Sequence, residues 1–169
     1  NENSRENLRV LDVGTGSGAI AIALAKYLKN ADVFAWDFSE EVLKVATRNT
    51  ERNKQNVSFH KVDILAGYPV DRQFDIIVSN PPYILEEEKA IMYKNVLDYE
   101  PHSALFVPND KALLFYELIA DIALELLLPE GKLYFEINQA KGKETVEMLE
   151  TKGFCNVALF RDLSANGRM

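Results

Sequence analysis

Leu8-Arg9-Val10-Leu11-Asp12-Val13-Gly14-Thr15-Gly16-Ser17-Gly18-Ala19 is the stretch that decides the fold. Leu8 to Val13 reads as a strand, and Ala19 to Leu28 reads as a helix with apolar residues at Ile20, Ile22, Ala23, Leu24 and Leu28. Between them the glycines let the backbone turn tightly and let a ligand approach where a Cβ would collide. A strand, a glycine turn and a helix in that order open a βαβ unit. Working outward, Asp32 to Asp37 is a second strand. Ser39 is a natural N-cap, with Glu40 and Glu41 in the first turn where the helix dipole favours negative charge, so a helix is expected to about Asn53. Val57 to Val62 and Phe74 to Ser79 are two further strands.

Between Asn80 and Asp110 the pattern breaks. Pro81, Pro82, Pro101 and Pro108 prevent any long regular element apart from a helical stretch near Glu86 to Asn95. Loops of that length in a compact domain are usually functional or disordered. Lys111 to Leu128 then reads as an apolar helix halted by Pro129, Glu130 and Gly131. Leu133 to Ile137 is a buried strand, Lys143 to Lys152 a helix ended by Gly153, and Phe154 to Phe160 a strand. Strands separated by helices run parallel through right-handed crossovers. The fold class is therefore α/β, a doubly wound, mostly parallel sheet with helices on both faces. Ligands are expected at the carboxyl ends of its strands.

Composition narrows the function classes. The 169 residues suit one domain, and 47% apolar with 27% charged residues lies in the globular range. The net charge of −7 repels phosphate backbones at long range, which counts against a nucleic-acid partner. A single cysteine, Cys155, excludes an internal disulfide, and His60 and His102 fit no zinc spacing, so no metal is expected. No apolar run approaches the roughly 20 residues of a bilayer crossing, and Asn1 to Asn7 are polar. A soluble, cytoplasmic protein with no membrane partner is expected; oligomeric state is not readable.

Two clusters carry chemistry. The first is the cofactor site, expected to comprise Asp12, Gly14, Thr15, Gly16, Ser17 and Gly18, then Asp37 and Phe38, and Asp63 and Ile64. Asp37, about twenty residues after the glycines at the end of the second strand, is placed to accept hydrogen bonds from ribose hydroxyls. Asp63 closes the third strand and can accept from an adenine amine, with Ile64 and Leu65 covering the ring. Gly14, Gly16 and Ala19 also satisfy the relaxed dinucleotide pattern, so the glycines alone leave a nicotinamide cofactor open.

The second cluster is Ser79-Asn80-Pro81-Pro82-Tyr83, directly after the fourth strand. The prolines have no N–H to compete for acceptors, leaving an amide side chain and a proline carbonyl as a rigid, acceptor-rich hook. A planar NH₂ entering it donates one hydrogen to the Asn80 oxygen and the other to the Pro81 carbonyl while Tyr83 packs against its plane. Two acceptors stabilise the positive charge that grows on such a nitrogen as it attacks. Asn80, Pro81, Pro82 and Tyr83 are thus the expected catalytic residues, and Asn80 also borders the cofactor.

Asp-Val-Gly-Thr-Gly-Ser-Gly-Ala together with Asn-Pro-Pro-Tyr resembles the class I S-adenosylmethionine-dependent methyltransferases that modify planar NH₂ groups, a Rossmann-like fold. Within them the chain most resembles the HemK (PrmC) family, the N5-glutamine methyltransferases of peptide-chain release factors. Ile84, Asp98-Tyr99-Glu100-Pro101, Ala104-Leu105-Phe106 and Arg161-Asp162-Leu163 narrow the likeness, which covers nearly everything from Leu8 to Met169. The resemblance implies S-adenosyl-L-methionine as cofactor and S-adenosyl-L-homocysteine as product. It puts the methionine portion on Gly14 to Gly18, ribose on Asp37, adenine by Asp63 and Ile64, and a release-factor glutamine amide on Asn80 to Tyr83. Residues 1–169 are then expected to be a catalytic domain without the family's small N-terminal helical domain and last strand. Glu136-Ile137-Asn138 departs from the pattern, in which glycine follows isoleucine. Tyr99 and Glu100 either border the substrate channel or anchor the loop. The rival activity is N6-adenine or N2-guanine methylation of RNA or DNA, since the same hook accepts those amines. A non-catalytic cofactor-binding module and a nicotinamide-dependent dehydrogenase are the readings from other classes.

Overall fold

The computed structural model describes residues 7–82, 84–85, 106–107 and 112–160. In chain order the elements are β1 (Leu8–Val13), α1 (Ala19–Tyr27), β2 (Ala31–Asp37), α2 (Glu40–Asn53), β3 (Ser58–Lys61), β4 (Phe74–Ser79), β5 (Ile84–Leu85), β6 (Phe106–Val107), α3 (Leu114–Leu126), β7 (Leu127–Phe135) and α4 (Gly142–Thr151). The chain forms two compact units, residues 1–79 with 122–134 and residues 80–121 with 135–169, so the boundary falls inside α3 and inside β7.

The first unit holds a five-stranded sheet in the order β3-β2-β1-β4-β7. β1 pairs in parallel with β2 on one side and β4 on the other, and β2 pairs in parallel with β3. Alternation along each strand sends successive side chains to opposite faces. Ile76, Val10 and Val33 share one register line, and with Ala21 and Ala35 they build the core that α1 covers through Leu24, Ala25 and Leu28. Alanine at these contacts lets helix and sheet approach closely. Phe34 and Trp36 point to the other face, and Phe74, the first residue of β4, meets them edge-on at 5.7 Å and 6.3 Å. The reversal of strand order at β1, which has β2 on one side and β4 on the other, creates the crevice at which open α/β sheets bind ligands.

Ser39 caps α2 as expected, its Oγ accepting from the Val42 N–H at 3.3 Å. Two expectations fail. β7 starts at Leu127, directly after α3, and runs through Pro129, Glu130 and Gly131, the residues expected to separate helix from strand. Among the described strands it comes last in the sheet order, the kind of position in which proline is tolerated, and Glu130 is left-handed at φ 67°. Phe154 to Phe160 forms no strand. Asn156 sits at φ 57°, a left-handed conformation that an extended ladder cannot accommodate.

In the second unit, β5 and β6 form a two-stranded parallel pair that the proline-rich sequence did not suggest. Tyr116 on α3 is fully buried, its ring edge-on to Phe135 at 5.3 Å and its hydroxyl accepting from the Asn138 N–H at 3.1 Å. Asn138, where the resemblance called for glycine, uses its side chain to accept from the Ala140 N–H at 2.9 Å and so starts the short 3₁₀ turn Gln139–Lys141 ahead of α4. Lys152 pairs with Asp121. Among the described residues no helix is long and apolar enough to cross a membrane. The expected helical stretch near Glu86 to Asn95, Tyr99, Glu100, His102 and Arg161 to Leu163 lie outside the described residues.

Candidate functional site

The glycine turn is pinned at the carboxyl end of the sheet. The N–H groups of Gly14 and Thr15 both donate to the Trp36 carbonyl at 2.9 Å, tying the end of β1 to the end of β2. The Gly18 N–H donates back to the Thr15 carbonyl at 3.0 Å. Gly14, Gly16 and Gly18 all take positive φ, 71°, 56° and 82°, which side chains with a Cβ adopt at a cost. They differ in their surroundings. A Cβ at Gly14 or Gly16 would meet nothing within 4 Å, whereas one at Gly18 would lie 3.1 Å from the Ala46 Cβ. Gly14 and Gly16 thus border open space, and Gly18 is where α1 and α2 touch.

Asp37 joins the turn to the rest of the site. Its Oδ2 accepts from the Gly16 N–H and its Oδ1 from the Ser39 N–H, both at 3.0 Å, so one buried carboxylate fixes the glycine turn and the entry to α2. Each oxygen retains lone-pair capacity for a hydroxyl. The Asp37 carbonyl accepts from the Val62 N–H at 2.9 Å, which brings the end of β3 alongside. Asp63 follows; its exposed carboxylate accepts from the Leu65 N–H at 3.0 Å, closing a local turn. Ile64 is half-buried, while Phe38 and Leu65 are exposed apolar surface at this end of the sheet.

Asp12 behaves differently from a surface contact. Strand alternation turns it toward α1, where it is fully buried and its Oδ2 accepts from the Thr15 hydroxyl at 2.7 Å. Burial pushes its carboxyl up from 3.8 to about 6; the Thr15 hydroxyl and the Ala21 amide favour the charged form, and the charge on Asp37 opposes it. No donor meets Oδ1 in bonding geometry, leaving a buried acceptor unused. An adenosyl cofactor that carries an amino-acid moiety fits these residues: the turn has room where a Cβ would stand, and a buried acceptor lies beneath it.

β4 ends at Ser79, which pairs with Val13 and whose hydroxyl donates to the Val13 carbonyl at 2.6 Å. Asn80 is next in the chain. Asn80 is exposed, Pro81 buried and Pro82 half-buried, all within the second unit, while Tyr83 lies outside the described residues. Sequence reasoning missed Asn49, whose side-chain N–H donates to the Ser17 carbonyl at 2.9 Å. The sequence carries no signal for it: only in the fold does this polar side chain stand one helical turn from Ala46, beside the buried stripe Leu43, Ala46 and Thr50.

The methyltransferase-domain family model matches residues 4–154. A release factor glutamine methyltransferase of Flavobacterium psychrophilum is 51% identical over 98% of this chain and 58% of its own length. One of Bacteroides thetaiotaomicron is 48% identical over 95% of this chain and 58% of its own length, so the chain spans little more than half of these relatives. The crystal structure of a ribosomal protein L11 methylase from Lactobacillus delbrueckii subsp. bulgaricus superimposes with a TM-score of 0.65 at 25% identity, covering 95% of this chain and 67% of that one. With its strand order, its glycine turn on Asp37 and the match over residues 4–154, the chain belongs to the methyltransferase-domain family.

Proposed function

We propose that residues 1–169 are the catalytic domain of a protein that transfers a methyl group from S-adenosyl-L-methionine to the side-chain amide nitrogen, N5, of a glutamine in a peptide-chain release factor, leaving S-adenosyl-L-homocysteine. The observation that carries the reading is the junction of Gly16 with Asp37, a glycine turn with open space above it held by a buried carboxylate that retains acceptor capacity for a ribose. The acceptor is supported by Asn80-Pro81-Pro82-Tyr83 following Ser79 and by the likeness to the two glutamine methyltransferases along almost the whole chain. On this reading the protein works in the cytoplasm.

The bound cofactor supplies a methyl group on a positively charged sulfur. Gly14 and Gly16 make room for its methionine portion, Asp12 offers Oδ1 to the amino group, and Asp37 accepts from the ribose. Phe38, Asp63 and Ile64 serve the adenine. The Asn80 side-chain oxygen and the Pro81 carbonyl would each accept one hydrogen of the glutamine NH₂. This grip would leave one face of the nitrogen free to receive the methyl group. Alignment at roughly 3 Å is worth up to about 7–11 kcal/mol in favourable models. The same acceptors stabilise the charge that develops on nitrogen, and the proton leaves after transfer. The test is a transfer assay with labelled cofactor, offering a release factor, tRNA, rRNA and DNA side by side. Label on a glutamine of the release factor is expected; label on nucleic acid alone would replace this reading by the base-amine one.

A further inference from the structure

The glycine turn is held by the end of β2 and by α2 together. Asp37 links the Gly16 N–H to the Ser39 N–H at the start of α2, Ala46 stands where a Cβ on Gly18 would lie 3.1 Å away, and Asn49 donates to the Ser17 carbonyl at 2.9 Å. These contacts are not equivalent. Asp37 fixes the first half of the turn, and Ala46 limits only how close the second half can come. The Ser17–Gly18 peptide unit is the part whose orientation decides where the turn's dipoles point. It is bonded at both ends: its N–H goes to the Thr15 carbonyl at 3.0 Å, and its C=O goes to Asn49. On its Gly18 side, at φ 82°, this peptide has little steric preference of its own, so its two hydrogen bonds hold the orientation, one made within the turn and the other by the Asn49 side chain from outside it.

Building on the cofactor reading above, we propose that Asn49 is a positioning residue of the cofactor site: it holds the Ser17–Gly18 peptide in the ligand-ready orientation and thereby sets cofactor affinity without touching the methyl-transfer step. The donor role separates this from mere packing. Asp at this position keeps the shape and removes the N–H; Ala removes both.

The probe is S-adenosyl-L-homocysteine, titrated calorimetrically into the parent chain and into Asn49→Ala, Asn49→Asp and Thr47→Ala. Thr47 lies on the same helix, and its hydroxyl bonds the Leu43 carbonyl rather than the turn. One hydrogen bond's worth of order in the turn corresponds to about a three- to tenfold rise in Kd for both Asn49 variants. Thr47→Ala is expected to bind like the parent. In transfer assays the Asn49 variants raise the cofactor KM and leave kcat at saturation near the parent value. Parent-like affinity in Asn49→Asp overturns the proposal, because packing alone would then suffice; so does a fall in kcat with KM unchanged. Absence of binding by the parent chain defeats the cofactor reading and this inference with it, whereas binding by the parent and by both Asn49 variants alike defeats the inference alone.

Discussion

Two glycines two residues apart are expected to respond to the same substitution in opposite ways. At Gly16 the backbone has φ 56° and an added Cβ meets nothing within 4 Å. Gly16→Ala therefore costs only the left-handed conformation, roughly 1–2 kcal/mol. At Gly18 the φ of 82° carries a similar cost, and the new methyl lies 3.1 Å from the Ala46 Cβ and 3.4 Å from the Ile22 Cδ1. Neither neighbour is the free end of a long side chain, so about 1–3 kcal/mol of overpacking is added. For a domain of this size about 1 kcal/mol moves Tm by roughly 2–4 °C, so Gly18→Ala is expected to lose about 4–20 °C and Gly16→Ala about 2–8 °C. Cofactor affinity is expected to rank the other way. The Gly16 methyl points into the space proposed for the ligand, and a clash of about 1–3 kcal/mol raises Kd roughly 5- to 150-fold. The methyl at Gly18 points at α2 and weakens binding only through the displaced helix. Thermal melts of the unliganded variants and calorimetric titration with S-adenosyl-L-homocysteine measure the two rankings independently. Parent-like affinity in Gly16→Ala would refute the reasoning, since the open space at Gly16 would then not be the ligand's.

Asn80→Ala is expected to lower kcat by about 10²- to 10³-fold, the usual effect of removing one preorganised hydrogen-bonding group, with S-adenosyl-L-homocysteine affinity within a few-fold of the parent; equal loss of both would move the hook into the cofactor site. Asp12 gives a pH signature. Its folded pKa of about 6 lies above the ordinary 3.8, so between these values the native state binds more protons than the unfolded chain, and this group makes stability fall as pH rises through that window by about 3 kcal/mol, then level off. Asp12→Asn removes the titration, so denaturant melts are expected to show the variant gaining on the parent between pH 4 and pH 7; a difference that does not change with pH would mean the buried carboxyl is not what titrates.

The strands that frame the site were legible because a strand buried in a parallel sheet is an apolar run with abrupt ends. β1 ends at glycine and β4 at Asn-Pro, and both ends fall where the sequence puts them. β7 was misread because Pro129-Glu130-Gly131 looks like a stop, and only the sheet order shows it to come last among the described strands, the kind of position in which proline is tolerated. The site divides along the same line. Glycine and the Asp37 that follows it leave a trace in sequence because backbone conformation restricts the residue type locally. Asp12 is marked in the sequence by its place just ahead of the glycines, yet its carboxyl is buried on Thr15 beneath the turn, a fact that depends on α1 covering that face of β1. Asn49 was invisible for a stronger reason. It is a polar side chain on a largely polar helix, and nothing within the helix distinguishes it from Asn53, whose side chain merely bonds back to the Asn49 carbonyl. What separates them is that α2 crosses the start of α1 at Ala46, so that the next turn of helix carries an amide donor to within 2.9 Å of Ser17. Residues proposed to meet the ligand are constrained by their own backbone and can be read along the chain, while those proposed to hold them in place are constrained by packing between elements and can be read only in the fold.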